Sequence, residues 1–181
     1  MRLIVIEGCD GTGTSTHTGA LTDSLRALGI DAVAFHHPPP PKGCSPWTRG
    51  IHYASERSKL VDQYGDTDVV VVADRWYHST FVFSHTVEDA PLRAQLNQLV
   101  AMERHALPAP VLVVVLDAMD AELDRRLTKR GEVVRPSDTV ERAAYRELVD
   151  AYTYDAVDTG PSKDSVRAKL LGMSLSALSR A

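Results

Sequence analysis

The hydrophobic pattern opens with Leu3-Ile4-Val5-Ile6, four apolar residues in a row that leave no solvent face and predict a strand buried on both sides. Leu21, Leu25 and Leu28 then recur at helical spacing, and Gly29 closes that helix. Ile30 to Phe35 predicts a second strand, ended abruptly by His36-His37 and the prolines Pro38 to Pro41. Ser45-Pro46 predicts a helix start, and Ile51, Ala54, Leu60, Val61 and Tyr64 carry that helix to Gly65. Val69-Val70-Val71-Val72-Ala73 is a β-branched run and a third buried strand. Ser79 to His85 continues as helix, and 91–107 carries a stripe of Leu92, Leu96, Leu99, Val100 and Leu107 that reads as core. Val111 to Leu116 is the strongest strand signal. Leu123 and Leu127 line the next helix, with Arg125, Arg126, Lys129 and Arg130 on its other faces. Ser137 or Asp138 caps a helix running through Tyr152, Tyr154 to Val157 is a short last strand, and Val166, Leu170, Leu171, Leu175 and Leu178 mark a closing helix. Strands alternating with helices predict an α/β protein, a three-layer α/β/α sandwich on a parallel five-stranded sheet. No repeat or linker divides the chain, so 1–181 reads as one domain with a short lid at about 129–137.

Composition changes this picture little. Apolar residues at 44% and charged residues at 24% are ordinary for a soluble globular protein. A net charge of −4 argues against a nucleic-acid partner, which usually calls for a basic excess. Two cysteines, Cys9 and Cys44, suggest neither a disulfide framework nor a metal cluster. Only four apolar residues separate Arg2 from Glu7, and no run approaches a membrane span, so a cytosolic chain with no membrane partner is expected.

The candidate chemistry starts after the first strand. In Glu7-Gly8-Cys9-Asp10-Gly11-Thr12-Gly13-Thr14-Ser15-Thr16, three glycines let the backbone turn tightly and aim its N–H groups inward, just before a helix N-terminus. The phosphate-loop pattern asks for Gly, four residues, Gly, Lys, then Ser or Thr. Gly8, Gly13 and Ser15 satisfy it, but Thr14 stands where the lysine belongs. Asp74-Arg75-Trp76 sits at the carboxyl end of the third strand, where open α/β sheets bind ligands. His36-His37 could suggest a metal, but adjacent residues on an extended chain point opposite ways and no acidic partner is near in sequence, which favours a solvated loop. Arg130-Gly131-Glu132-Val133-Val134-Arg135-Pro136 reads as a solvated basic excursion, or as a lid that supplies the charge missing at Thr14.

In their order and spacing these motifs resemble the thymidylate kinases of the P-loop nucleoside monophosphate kinase group. Ile4 to Gly11 resembles the family's phosphate-loop approach, Asp74-Arg75-Trp76 with Ser79-Thr80 its Asp-Arg-aromatic motif, and Arg130-Gly131-Glu132 with Arg135 its lid. Tyr53-Ala54-Ser55-Glu56-Arg57 resembles the segment that stacks on the base and meets the pyrimidine edge. The resemblance implies a P-loop kinase fold and transfer of the ATP γ-phosphoryl group, with Mg²⁺, to dTMP or a related, even modified, pyrimidine deoxynucleotide. It implies that Gly8, Gly11, Thr12, Gly13, Thr14, Ser15 and Thr16 form the donor-phosphate loop, and that Ser15 and Asp74 hold the metal. Arg75 would clamp the acceptor phosphate, and Asp10 would reach the acceptor's sugar hydroxyl or a metal-bound water. Tyr53 would stack on the base and Arg57 would bond its edge, with Thr80, Phe83 and Tyr145 on the substrate side. Asp10, Arg75, Arg130 and Arg135 would carry catalysis. Small nucleotides are the implied partners, and homodimers are frequent in the family.

The departures are as informative. Phe83 stands where the family usually has a tyrosine that excludes a ribose 2′-hydroxyl, and His36-His37-Pro38 where many members carry Arg-Glu-Pro. Losing one well-placed cation in phosphoryl transfer costs on the order of 3–5 kcal/mol of transition-state stabilisation. Either Arg130 or Arg135 compensates, or the chain is a catalytically weak nucleotide-binding or regulatory protein on the same fold. Retention of Asp10, Ser15, Asp74 and Arg75 favours the enzyme.

Overall fold

The computed structural model describes residues 1–181 and contains five strands, β1 (Arg2–Gly8), β2 (Ala32–His36), β3 (Val70–Asp74), β4 (Leu112–Asp117) and β5 (Asp155–Asp158). They form one sheet in the order β2-β3-β1-β4-β5, with every pairing parallel. Seven helices connect and cover it: α1 (Thr14–Ala27), α2 (Pro46–Tyr64), α3 (Tyr77–Ser84), α4 (Ala90–Ala106), α5 (Asp120–Lys129), α6 (Pro136–Tyr152) and α7 (Lys163–Leu178). The expected three-layer α/β/α sandwich is the observed fold. No helix is long and apolar enough to cross a membrane.

The central place of β1 follows from its side chains. Ile4 and Ile6 point into a core with Leu21, Leu25, Val70, Val72 and Leu170, under α1 and α7. Leu3 and Val5 point to the other face and pack with Leu60, Val71, Ala73 and Trp76. A third cluster, with Val82, Val115, Leu123, Tyr145 and Leu148, seats α5 and α6 beside the carboxyl ends of the strands. Both faces of a parallel sheet are thereby dry, as an unbroken apolar run requires.

Several element ends differ from the sequence expectation for identifiable reasons. The second strand starts at Ala32 rather than Ile30, because the Ile30 N–H bonds Leu25 O (3.1 Å) and the Gly29 N–H bonds Arg26 O (2.9 Å). With Gly29 at φ 78 this is a Schellman closure of α1, and it claims Ile30 for the helix end. The second strand also runs one residue further, to His36. Helix α6 is capped at Arg135, not at Ser137 or Asp138. Pro136 takes the first helical position, and the Asp138 carboxylate, three residues on, accepts the Arg135 N–H at 2.8 Å. Helix α3 begins at Tyr77, two residues before the expected start.

Candidate active site

At the carboxyl ends of β1 and β3 the chain opens a cavity of about 520 Å³, closed on its third side by the start of α6 and the loop before it. Its floor is the glycine-rich turn. Gly13 adopts a left-handed φ of 88 and hands the chain to α1, whose first intrahelical bond runs from the His17 N–H to Gly13 O. The N–H groups of Gly11, Gly13, Thr14, Ser15 and Thr16 therefore donate to nothing within the protein, and the helix dipole adds to their positive end. Arg126 braces the turn from behind, bonding Gly11 O (3.1 Å) and the Thr159 hydroxyl and carbonyl (3.0 and 2.7 Å).

Gly8 and Thr12, expected in the phosphate loop, do not line the cavity. Thr12 is buried and donates its hydroxyl to Cys9 O at 2.8 Å, which shapes the turn from within. Gly8 has φ 151, and a Cβ there would sit 2.6 Å from the Thr12 hydroxyl and 2.7 Å from Leu116 O. Both residues are scaffold, because the tight turn leaves room for their atoms only on its inner side.

Beside the turn, the Ser15 hydroxyl donates to Asp74 Oδ2. Asp74 Oδ1 is buried without a hydrogen-bond partner. The donor set, one hydroxyl and a carboxylate with an unused oxygen, fits a hard divalent cation such as Mg²⁺. His36 also approaches Asp74 Oδ2, at 3.0 Å, and His37 Nδ1 lies 3.3 Å from the Asp74 carbonyl. This corrects the expectation of a solvated histidine loop with no acidic partner. Parallel pairing sets His36 in register with Asp74, and His37 packs edge-on against Phe35 and Tyr53 (4.7 and 5.3 Å between centroids).

Arg75 is aimed by strain. It holds a left-handed φ of 71, fixed by its own N–H to Ile6 O (2.9 Å) and by the Trp76 N–H to Glu7 Oε1 (2.7 Å). Its guanidinium bonds Asp10 Oδ1 at 2.6 Å. Burial raises the Asp10 pKa, but Arg75, followed by Arg130 and Arg135, outweighs that and brings the carboxyl below its ordinary range.

Glu7 is fully buried and anchors this corner, accepting from the Trp76 N–H, the Ser79 hydroxyl (2.6 Å) and the Tyr145 hydroxyl (3.0 Å). Burial opposes its charge, yet the neighbouring His78, Ser79 and the Trp76 N–H bring its pKa below the usual value. Tyr145, expected on the substrate side, lines the cavity, but its hydroxyl is committed to Glu7 and Ser79.

Tyr53, Thr80 and Phe83 line the cavity. Arg57 lines it too, but its guanidinium is gripped by Glu103 through two bonds of 2.7 Å and donates to the Thr80 hydroxyl at 3.1 Å. Arg130 and Arg135 are exposed at the rim, and Arg130 is paired with Glu132 at 3.0 Å. Glu7, Glu103, Arg49 and Glu141 were not singled out from the sequence. Glu103 had a signal: it falls seven residues after Leu96, on the apolar stripe of α4, where a charge requires a partner.

Three relatives match most of the chain, at 26–29% identity. One, 26% identical over 92% of this chain and 91% of its own length, is named probable thymidylate kinase, from Methanobrevibacter smithii. Another, 29% identical over 73% of this chain and 72% of its own, is the thymidylate kinase of Caulobacter vibrioides. The chain is similar to proteins named thymidylate kinase. No protein-family model matches it.

Proposed function

We propose that this protein is a nucleoside monophosphate kinase that transfers the γ-phosphoryl group of ATP to dTMP or a related pyrimidine deoxynucleotide. The observation that carries the reading is one cavity holding free N–H groups at a helix N-terminus, the Ser15–Asp74 pair with its unused carboxylate oxygen, and Arg75. The names of the matched relatives support the same reaction.

In that reaction an oxygen of the acceptor phosphate bonds to the γ-phosphorus as the bond to the β,γ-bridging oxygen breaks, and ADP leaves. The protein has little covalent chemistry to perform; it aligns the two phosphates and balances their charge. The amides of Gly11, Gly13, Thr14 and Ser15 would cradle the donor phosphates. Ser15 and Asp74 would hold Mg²⁺, which draws charge from the transferring group. Arg75 would clamp the acceptor phosphate, with Asp10 orienting its guanidinium and within reach of the acceptor's sugar hydroxyl. Tyr53 would stack on the base, and Thr80 and Phe83 would wall the sugar and base. Arg57 would meet the base edge with the one guanidinium nitrogen, Nη1, that makes no bond inside the protein.

Thr14 brings no charge to the donor phosphates, so the reading assigns that part to Arg130 and Arg135 at the rim. The Arg130–Glu132 pair is exposed, and such pairs contribute little, so Arg130 can exchange partners at small cost. A coupled ADP-release assay with ATP and Mg²⁺ across the monophosphates tests the reading, with turnover expected on dTMP. Nucleotide binding without turnover of any acceptor would instead favour a regulatory nucleotide-binding protein.

A further inference from the structure

His37 carries a ring nitrogen that the protein leaves unused. Its imidazole lines the cavity, yet Nε2 is buried with no hydrogen-bond partner. The ring is held from several sides. Nδ1 lies 3.3 Å from the Asp74 carbonyl, and Phe35 and Tyr53 pack edge-on against the ring. The next residue, Pro38, accepts a hydrogen bond from His52 Nε2 at 3.0 Å. A carbonyl oxygen can only accept, so Nδ1 carries the hydrogen and the neutral ring keeps a lone pair at Nε2. Burial, and next the charge of Arg57, push the His37 pKa down to about 4, so the ring stays neutral. A buried acceptor without a donor is costly, and in a cavity wall it marks where a donor of the ligand belongs.

The neighbours of His37 identify that donor. Arg57 is the charged group that acts most strongly on His37, and its Nη1 makes no bond inside the protein. Tyr53 adjoins both, 5.3 Å from the His37 ring and one helical turn from Arg57. The wall beside the proposed base stack therefore offers an unused donor and an unused acceptor. On a uracil ring the 4-carbonyl and the 5-substituent are adjacent. With Arg57 donating to the carbonyl, Nε2 of His37 requires a hydrogen on the 5-substituent that it can accept, and the methyl group of thymine has none. A cytosine would turn its 4-amino donor against the Arg57 donor. We propose that the acceptor selected by this site is a deoxyuridine monophosphate whose 5-substituent bears a hydroxyl, and that His37 is the residue that distinguishes it from dTMP. This names the substrate class of the kinase reading above and rests on that reading.

Titration calorimetry at pH 8 with 5-hydroxymethyl-dUMP, 5-hydroxymethyl-dCMP and dTMP, on the parent and on His37→Phe, tests this. Phenylalanine keeps an aromatic ring against Phe35 and Tyr53 and removes the lone pair. The parent is expected to bind 5-hydroxymethyl-dUMP about ten- to a hundredfold more tightly than dTMP, the effect of pairing a buried acceptor. It is expected to bind 5-hydroxymethyl-dCMP more weakly than 5-hydroxymethyl-dUMP. In His37→Phe the affinities for 5-hydroxymethyl-dUMP and dTMP are expected to converge to within about threefold. A parent that binds dTMP as tightly as 5-hydroxymethyl-dUMP, or 5-hydroxymethyl-dCMP equally well, overturns the inference and leaves the kinase reading in place; neither comparison needs a variant. A His37→Phe protein that keeps the parent's preference overturns the assignment to His37. A parent that binds and turns over none of the three monophosphates overturns the kinase reading itself, and this inference with it.

Discussion

Glu103 on α4 holds Arg57 on α2 through two parallel hydrogen bonds of 2.7 Å, with the two side chains only 7% and 1% exposed. The fork geometry suits a guanidinium and a carboxylate, and it fixes both the charge state and the direction of Arg57. The pair also ties two helices across one wall of the cavity.

Removing one member leaves the other as an uncompensated buried charge. Glu103→Ala is expected to cost about 3–5 kcal/mol in urea unfolding. The double variant Arg57→Met/Glu103→Leu is expected to recover most of that stability, since buried pairs are often replaceable by packed apolar residues, yet to lose acceptor affinity. A single variant as stable as the parent would show that the pair does not hold the wall.

This pair also marks the limit of what the sequence displays. The strands were legible because Leu3 to Ile6, Val69 to Ala73 and Val111 to Leu116 are apolar runs that admit one placement. The turn and the Asp74-Arg75 corner were legible because their chemistry depends on contiguous residues. Glu103 lies 46 residues from Arg57, and His36 meets Asp74 only once β2 and β3 pair. Contacts made by strand register and helix packing leave no local signature, which is why the histidines read as solvated and Arg57 read only as a contact to the base edge. Gly8 and Thr12 misled in the opposite direction: the pattern marks the turn's residues without distinguishing those that face the cavity from those that shape it.

Arg75 separates strain from chemistry. A left-handed non-glycine residue costs about 1–2 kcal/mol, and its retention at φ 71 points to the guanidinium as the reason. Arg75→Gly relieves the backbone and forfeits the exposed-edge bond to Asp10. Thermal unfolding is expected to show stability within about 1 kcal/mol of the parent, while turnover falls on the order of a thousandfold. Full activity in that variant would remove Arg75 from the acceptor site.

Cys9 lies in the turn, but it is a buried thiol pushed up to about 12, by burial first and then by Asp117 and Asp10 against the opposing pull of Arg142. At pH 8 the thiolate fraction is then roughly 10⁻⁴, and it rises about tenfold for each pH unit below the pKa. A thiol-reactive chromophore is expected to label one cysteine rapidly in the native protein, the half-buried Cys44, and the second only on unfolding. Two fast equivalents at pH 8 would show the turn to be open rather than packed.

In the proposed reaction, Thr14 leaves the charge of the donor phosphates to Arg130 and Arg135. Arg130 and Arg135 line the same cavity as the glycine-rich turn and, after Arg75, help hold the Asp10 carboxyl below its ordinary range. If they supply the charge that Thr14 does not, Arg130→Ala and Arg135→Ala each slow kcat, and together they cost roughly 10²–10³-fold, with little change in stability because both side chains are exposed. Thr14→Lys, placing an ammonium at the first residue of α1, is expected to restore part of the rate in the double lid variant and to add little to the parent. Steady-state kinetics on the parent and these five variants decide the matter: arginine variants that turn over as fast as the parent would leave the donor phosphates neutralised by some other group, and a faster Thr14→Lys variant without a defect in the arginine variants would show that the lysine position, not Arg130 and Arg135, limits the rate.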